Sequence, residues 1–128
     1  MSVVSPLNRV LGLGSAKDGV EHWWAQRLTA VALLPLGLWL VAASIGLDDF
    51  GYASVVEWMQ APMNSVLLLL TMLALTYHSA LGVQMVIEDY VGAKGLKIAL
   101  LMLITFAHLA VAVTGVFAIL KVAFGAAA

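Results

Sequence analysis

The sequence has 128 residues, of which 63% are hydrophobic and 10% are charged, and its formal net charge is −1. A water-soluble domain of this size needs many more charged residues to cover its surface, so the composition predicts a single integral membrane domain spanning residues 1–128. The charge gives no indication of a nucleic-acid partner, and none is expected. The absence of cysteine excludes disulfides and cysteine-ligated iron–sulfur clusters in this chain.

Three long uncharged runs predict three transmembrane helices, because about 20 apolar residues of helix cross the hydrocarbon core. The runs are Leu28–Leu47, Trp58–Ile87 and Ile98–Leu120. We place the spans at about 26–47, 63–87 and 97–121. The predicted fold class is therefore an all-α membrane protein with three transmembrane helices.

Tryptophans, prolines and glycines along the chain refine the predicted limits of the helices. The first helix is expected to begin near Trp23, at the interfacial aromatic belt, and to kink at Pro35. A short interfacial helix is expected around Trp58, on the outer surface. Pro62 marks the start of the second span, followed by the capping candidates Asn64 and Ser65, and Gly92 and Gly95 separate the second and third spans.

The lysines and arginines outside the spans predict the orientation. The four extramembrane segments carry 3, 0, 2 and 1 of them in chain order: Arg9, Lys17 and Arg27, then none, then Lys94 and Lys97, then Lys121. Positive charge accumulates on the cytoplasmic side, so we expect a cytoplasmic N-terminus. The N-terminal segment lacks the apolar run of a secretory signal peptide, and a bacterial inner membrane is the expected location.

His78 is the most conspicuous polar residue within a predicted span. Asp89 follows it by eleven residues, about three helical turns, and so lies on the same face about 16 Å away along the axis. Gly82, one turn after His78, leaves room beside the imidazole. A histidine in this setting suits two roles, an axial ligand of haem iron or a hydrogen bond to another helix, and the residue alone favours the second.

Other polar residues near the spans also have two interpretations. His108 is expected at nearly the depth of His78, either as a second haem ligand or, the favoured reading, hydrogen-bonded to a neighbouring helix. Tyr90 and Asp89 are ordinary interfacial residues, or they form a pocket in which Tyr90 donates a hydrogen bond to a carbonyl. Arg27 is an ordinary helix-end cation or the partner of an anionic group. His22 is expected to be solvated or to contact a partner.

Taken together, these residues resemble a known family. The segment HSALGVQMVIEDYV at residues 78–91, in a three-span frame opened by WWAQRLTAVAL at residues 23–33, resembles the small hydrophobic membrane anchor of succinate dehydrogenase. The stretch GSAKDGVEHWWAQRLTA is similar to the alphaproteobacterial branch. The resemblance implies that His78 is one axial ligand of a haem b shared with the larger anchor of the same complex, with Gly82 and Arg27 beside that haem. It also implies that Tyr90 and Asp89 bind ubiquinone.

The function implied by this resemblance belongs to a complex of several subunits. The chain would hold the flavoprotein and the iron–sulfur protein of the complex at the membrane and pass electrons from succinate to ubiquinone, without oxidising succinate itself. Its expected partners are these two proteins, the larger anchor, membrane lipid and ubiquinone. The resemblance implies that this chain packs against the larger anchor, which would be a second three-helix subunit. Two alternatives stay open: the anchor of a quinol:fumarate reductase, and a structural subunit of another membrane complex that binds no haem.

Overall fold

The fold is all-helical across the part of the chain that the structure describes. The computed structural model describes the backbone of residues 16–125 and the side chains of residues 20–125, so the predicted N-terminal tail with Arg9 lies outside it. Four helices are present and no strand occurs among these residues: α1 (Ala16–Ile45), α2 (Tyr52–Gln60), α3 (Pro62–Tyr90) and α4 (Lys94–Ala123). α1, α3 and α4 are each long and apolar enough to cross a membrane, which confirms the all-α fold class with three candidate spans.

α1 extends further than the run of apolar residues within it. It begins at Ala16, well before Trp23, and continues as helix through Pro35 to Ile45. Proline lacks a backbone N–H, so one carbonyl in the preceding turn loses its helical partner there. A helix tolerates that loss when its other backbone bonds are kept, as in many transmembrane helices.

α2 is the short helix expected around Trp58, and it is tied to the start of α3. Pro62 opens α3 as predicted, but no side chain caps the α3 N-terminus. Instead, Asn64 Nδ2 donates to the Trp58 carbonyl at 2.8 Å and Ser65 Oγ donates to the Met59 carbonyl at 2.5 Å. The prediction that these residues cap α3 was therefore wrong: they satisfy carbonyls at the end of α2, which lies one residue upstream.

α3 is the central helix of the molecule. It packs against both α1 and α4, whereas α1 and α4 do not pack against each other among the described residues. α2 lies against α3 and α4, and a stacked pair of indoles, Trp39 and Trp58 with centroids 5.8 Å apart, joins it to α1. Residues on the two sides of α3 therefore meet different neighbours.

The connection between α3 and α4 is very short. Residues 91–93 join the two helices, with Gly92 in the connection, while Gly95 already lies in the first turn of α4. Lys97 Nζ donates to the Glu88 carbonyl at 2.6 Å, and the Val91 N–H donates to the Ile87 carbonyl at 3.0 Å. These bonds satisfy carbonyls at the end of α3 and fix the turn into α4.

Candidate functional site: a histidine cluster between helices α1 and α3

The imidazole of His78 lies between α3 and α1 with both of its nitrogens in hydrogen-bonding contact. Nδ1 is 2.9 Å from Thr29 Oγ1, and Nε2 is 3.3 Å from the Gln26 amide nitrogen. Polar groups inside a membrane span are costly unless they are paired, so these contacts account for how the bilayer tolerates the ring. His78, Gln26 and Thr29 form the α1–α3 histidine cluster.

The surroundings of Thr29 favour one tautomer of the His78 ring. Thr29 Oγ1 lies 2.8 Å from the Ala25 carbonyl and 3.0 Å from the Gln26 carbonyl, and both are acceptors only. A hydroxyl that donates to one of these carbonyls accepts a hydrogen bond from His78 Nδ1–H. In that tautomer the lone pair of Nε2 faces the Gln26 amide nitrogen.

The α1 half of this cluster was not predicted from the sequence. Gln26 and Thr29 are three residues apart, and His22 lies four residues before Gln26, so the three share one face of α1. Two buried polar atoms on this face, His22 Nε2 and Gln26 Oε1, have no hydrogen-bond partner within the described part of the chain. The spacing of these polar residues at 22, 26 and 29 was the signal that could have identified them.

Gly82 lies where the sequence placed it, one turn from His78 and facing α1. A Cβ built on Gly82 would lie 3.7 Å from the Gln26 amide nitrogen, an ordinary van der Waals distance. Gly82 therefore leaves room for a methyl group on this face of α3, in contact with the Gln26 side chain. The larger space expected beside the imidazole stays a prediction.

Arg27 is not part of this cluster. Its guanidinium lies 5.3 Å from the centre of the Trp23 ring, in a cation–π contact, and the side chain is exposed. A helix turns by about 100° per residue, so Arg27 points away from the direction that Gln26 takes. The structure brings Gln26, rather than Arg27, to His78.

Asp89 and Tyr90 form the C-terminal end of α3, far from the imidazole along the helix. Both side chains are exposed, and Tyr90 retains 85% of its accessible surface. Their neighbour Glu88 accepts a hydrogen bond from Gln84 Nε2 at 2.8 Å. Tyr90 and Asp89 are thus presented at the helix end and are accessible to a ligand or a partner.

His108 has a separate role on the other side of α3. Its Nδ1–H donates to the Ile104 carbonyl at 2.8 Å, and its Nε2 lies 3.2 Å from the hydroxyl of Ser79. Ser79 is the residue after His78, so this contact places His108 at the depth of His78, as expected. The two imidazoles nevertheless face different helices, because His78 contacts α1. The favoured interpretation of His108, a hydrogen bond to a neighbouring helix, is confirmed, and a clamp of one haem by both histidines of this chain gains no support.

Fold and site together define a class of protein: a helical membrane protein with three candidate spans, in which a histidine of the second span is hydrogen-bonded to the first. Comparison with known sequences identifies the family. The family described as the succinate dehydrogenase/fumarate reductase transmembrane subunit matches residues 1–118. The chain belongs to this family.

Individual relatives agree with that assignment. A protein of Rickettsia bellii named succinate dehydrogenase hydrophobic membrane anchor subunit is 36% identical over 84 residues, 66% of this chain and 67% of the relative. A protein of the same name from Paracoccus denitrificans is 30% identical over 129 residues, 98% of this chain and 97% of the relative. The predicted resemblance to the hydrophobic membrane anchor, of an alphaproteobacterial type, is therefore confirmed.

Proposed function

We propose that this chain anchors a succinate dehydrogenase in the membrane and that His78 supplies one axial ligand to a haem b shared with the larger anchor of the complex. Family membership supports the anchor role. The observation that carries the ligand role is the contact of His78 Nδ1 with the Thr29 hydroxyl oxygen at 2.9 Å. An imidazole that donates its Nδ1–H to this oxygen has on Nε2 the lone pair that iron requires.

The residues around His78 fit such a cofactor on one condition. The Gln26 amide now contacts Nε2 at 3.3 Å, so this side chain has to rotate away before the nitrogen can bind iron. Gln26 has rotatable bonds, and its buried Oε1 has no hydrogen-bond partner among the described residues, so the present position does not satisfy the whole amide. A bound haem b would supply one-electron transfer, and Gly82, which has no side chain, lies one helical turn from the proposed ligand.

The end of α3 fits a role in binding ubiquinone. Tyr90 carries an exposed phenol, which can donate a hydrogen bond to a quinone carbonyl, and Asp89 adds a carboxylate next to it. Arg27 is exposed on α1, at the start of the first predicted span, and can pair with an anionic group such as a haem propionate. Each of these roles is part of the proposal.

The proposal includes an orientation and a set of partners. We place the N-terminus in the cytoplasm and the chain in the bacterial inner membrane, on the distribution of lysine and arginine. The described residues outside the spans are too few to form a water-soluble domain, so succinate oxidation falls to the flavoprotein and the iron–sulfur protein of the complex. The larger anchor and membrane lipid cover the apolar outer faces of the helices.

A dithionite-reduced-minus-oxidised spectrum of the detergent-purified complex, isolated through this chain, tests the ligand role. We expect a b-type α-band that is lost in His78→Ala, because one axial ligand disappears. His108→Ala is the matched control, since this second imidazole lies at the same depth but contacts α4 and Ser79. The α-band should survive in His108→Ala.

Two results contradict the proposal. A full α-band in the His78→Ala complex rejects His78 as the ligand. No haem in the wild-type complex supports the alternative of a structural subunit with a purely hydrogen-bonded histidine. Succinate–quinone and quinol–fumarate activities of the same preparation distinguish the two directions of reaction.

A further inference from the structure

We infer that Thr29 and Gln26 are positioning residues for His78: Thr29 fixes the ring as the Nδ1–H tautomer, and Gln26 covers Nε2 until iron replaces it. The effect on iron rests on the proposed haem site. The tautomer itself does not, because it follows from hydrogen bonds within this chain.

Thr29 acts on His78 through the direction in which its hydroxyl proton points. Its Oγ1 is within 3.0 Å of two backbone carbonyls, and a hydroxyl that donates to the backbone can only accept from the imidazole. The His78 Nδ1 atom, at 2.9 Å, therefore carries the hydrogen. In the opposite tautomer the ring would present a lone pair to that hydroxyl oxygen and an N–H to the amide nitrogen of Gln26.

Gln26 acts on the other nitrogen. Its amide nitrogen lies 3.3 Å from His78 Nε2, on the side of the ring where a metal would bind. The Gly82 backbone faces the same amide. A Cβ added to Gly82 would lie 3.7 Å from the Gln26 amide nitrogen and, apart from the backbone of its own helix, no other group of the described residues lies within 4 Å of it. The amide is thus a placeholder that keeps a polar atom in the membrane interior paired.

Loss of the Thr29 contact and loss of the Gln26 contact are expected to affect haem binding in opposite ways. A hydrogen bond from Nδ1–H to an acceptor orients a metal-bound imidazole and raises its basicity, and loss of such a bond typically weakens metal binding by about 10–100-fold. Removal of Thr29 Oγ1 should therefore weaken haem binding. Removal of the Gln26 amide should instead make haem uptake faster, because no side chain then competes with iron for Nε2.

The first experiment measures haem transfer from the purified complex to excess apomyoglobin, together with the reduction potential of the haem. Thr29→Val keeps the shape of the side chain and removes the hydroxyl, and Thr29→Ser restores the hydroxyl. We expect Thr29→Val to release haem about 10–100-fold more readily and to raise the potential, because a less basic imidazole stabilises ferric iron less. Thr29→Ser should behave like the wild type.

Gln26→Ala provides the opposite test in the same complex. After haem depletion, we expect this variant to take up added haem faster than the wild type, whereas general damage to the α1–α3 contact would slow uptake. Equal haem affinity and equal potential in wild type and Thr29→Val would overturn the role of Thr29. Slower uptake by Gln26→Ala would overturn the placeholder role of Gln26.

The second experiment reads the tautomer without haem. Nitrogen-15 NMR of the full chain, labelled at histidine and held in detergent, distinguishes protonated from unprotonated ring nitrogens. His108 is an internal reference, because its Nδ1–H faces a backbone carbonyl. We expect Nδ1–H for His78 in the wild type and a mixture in Thr29→Val. An Nε2–H wild-type ring would overturn the inference even if His78 binds haem, and an Nδ1–H ring without any haem in the complex would remove the proposed function alone.

Discussion

The phenol of Tyr90 projects from the last residue of α3 with 85% of its surface exposed, so its loss should not disturb the packing of this chain. We expect Tyr90→Phe to lower ubiquinone reduction by about tenfold, the effect of one lost hydrogen bond of roughly 1.4 kcal/mol. Succinate oxidation measured with an artificial electron acceptor should be unchanged, because that reaction takes place in other subunits.

Tyr77→Phe is a suitable control for this prediction, since Tyr77 is another exposed tyrosine of α3 but lies next to His78 rather than at the helix end. It should leave both activities intact. An equal loss of both activities in Tyr90→Phe would indicate defective assembly and contradict a direct role in quinone binding.

The histidine cluster was only half predictable from sequence. His78 is conspicuous because an imidazole is unusual in a long uncharged run. Gln26 and Thr29 lie near the start of the first predicted span, where polar residues are common, and their importance depends on α1 packing against α3. That packing is not encoded locally: α1 and α3 are apolar around most of their circumference, so no one-sided pattern shows which faces meet.

Among the helices, α4 comes close to a side chain of α3 at Gly115. A Cβ on this residue would overlap the terminal methyl of Met72 and come within 3.1 Å of its sulfur. We expect Gly115→Val to destabilise the chain by about 1–3 kcal/mol, since extra atoms in a tight contact force neighbouring groups to move. Unfolding of the detergent-solubilised chain, followed by tryptophan fluorescence, measures this effect.

Gly37→Val controls for the intrinsic effect of valine in a helix, because nothing lies within 4 Å of a Cβ at Gly37. This variant should change the free energy of unfolding by less than about 0.5 kcal/mol. If both variants lower the free energy of unfolding by the same amount, the contact between Gly115 and Met72 does not restrict the side chain at position 115.

Helix boundaries show what hydropathy measures. The apolar run of the first span begins at Leu28, yet α1 begins at Ala16 and includes Lys17, Asp18 and Glu21. Charged residues end the membrane-compatible stretch but not the helix, since they are acceptable in a helix exposed to water or headgroups. The sequence therefore predicted the existence and order of the spans better than the limits of their helices.

For the molecule as a whole, the absence of cysteine makes the proposed orientation directly testable. Single cysteines can be introduced at Ala53, in the first turn of α2, and at Ala93, in the connection between α3 and α4; both positions are exposed. With a cytoplasmic N-terminus, we expect a membrane-impermeant maleimide to label Ala53→Cys in intact spheroplasts. Ala93→Cys should be labelled only after lysis, because its loop faces the cytoplasm.

The reverse pattern, in which Ala93→Cys reacts in intact spheroplasts and Ala53→Cys does not, would invert the molecule and move Tyr90 to the outer surface. That result would also separate Tyr90 from electrons supplied at the cytoplasmic face. Labelling of both variants in detergent gives the maximum for each site and shows that each cysteine can react.

The central position of α3 has a consequence for how the chain enters the membrane during synthesis. The hydrogen-bond partners of His78, Gln26 and Thr29, lie in α1, and Ser79, the partner of His108, lies in α3. Each partner therefore leaves the ribosome before its histidine. Because residues 91–93 are the only connection between α3 and α4, these two helices are suited to insert as a hairpin. His78 then reaches the lipid interior after its partners in α1, and His108 reaches it together with Ser79, so neither imidazole waits unpaired for a later helix.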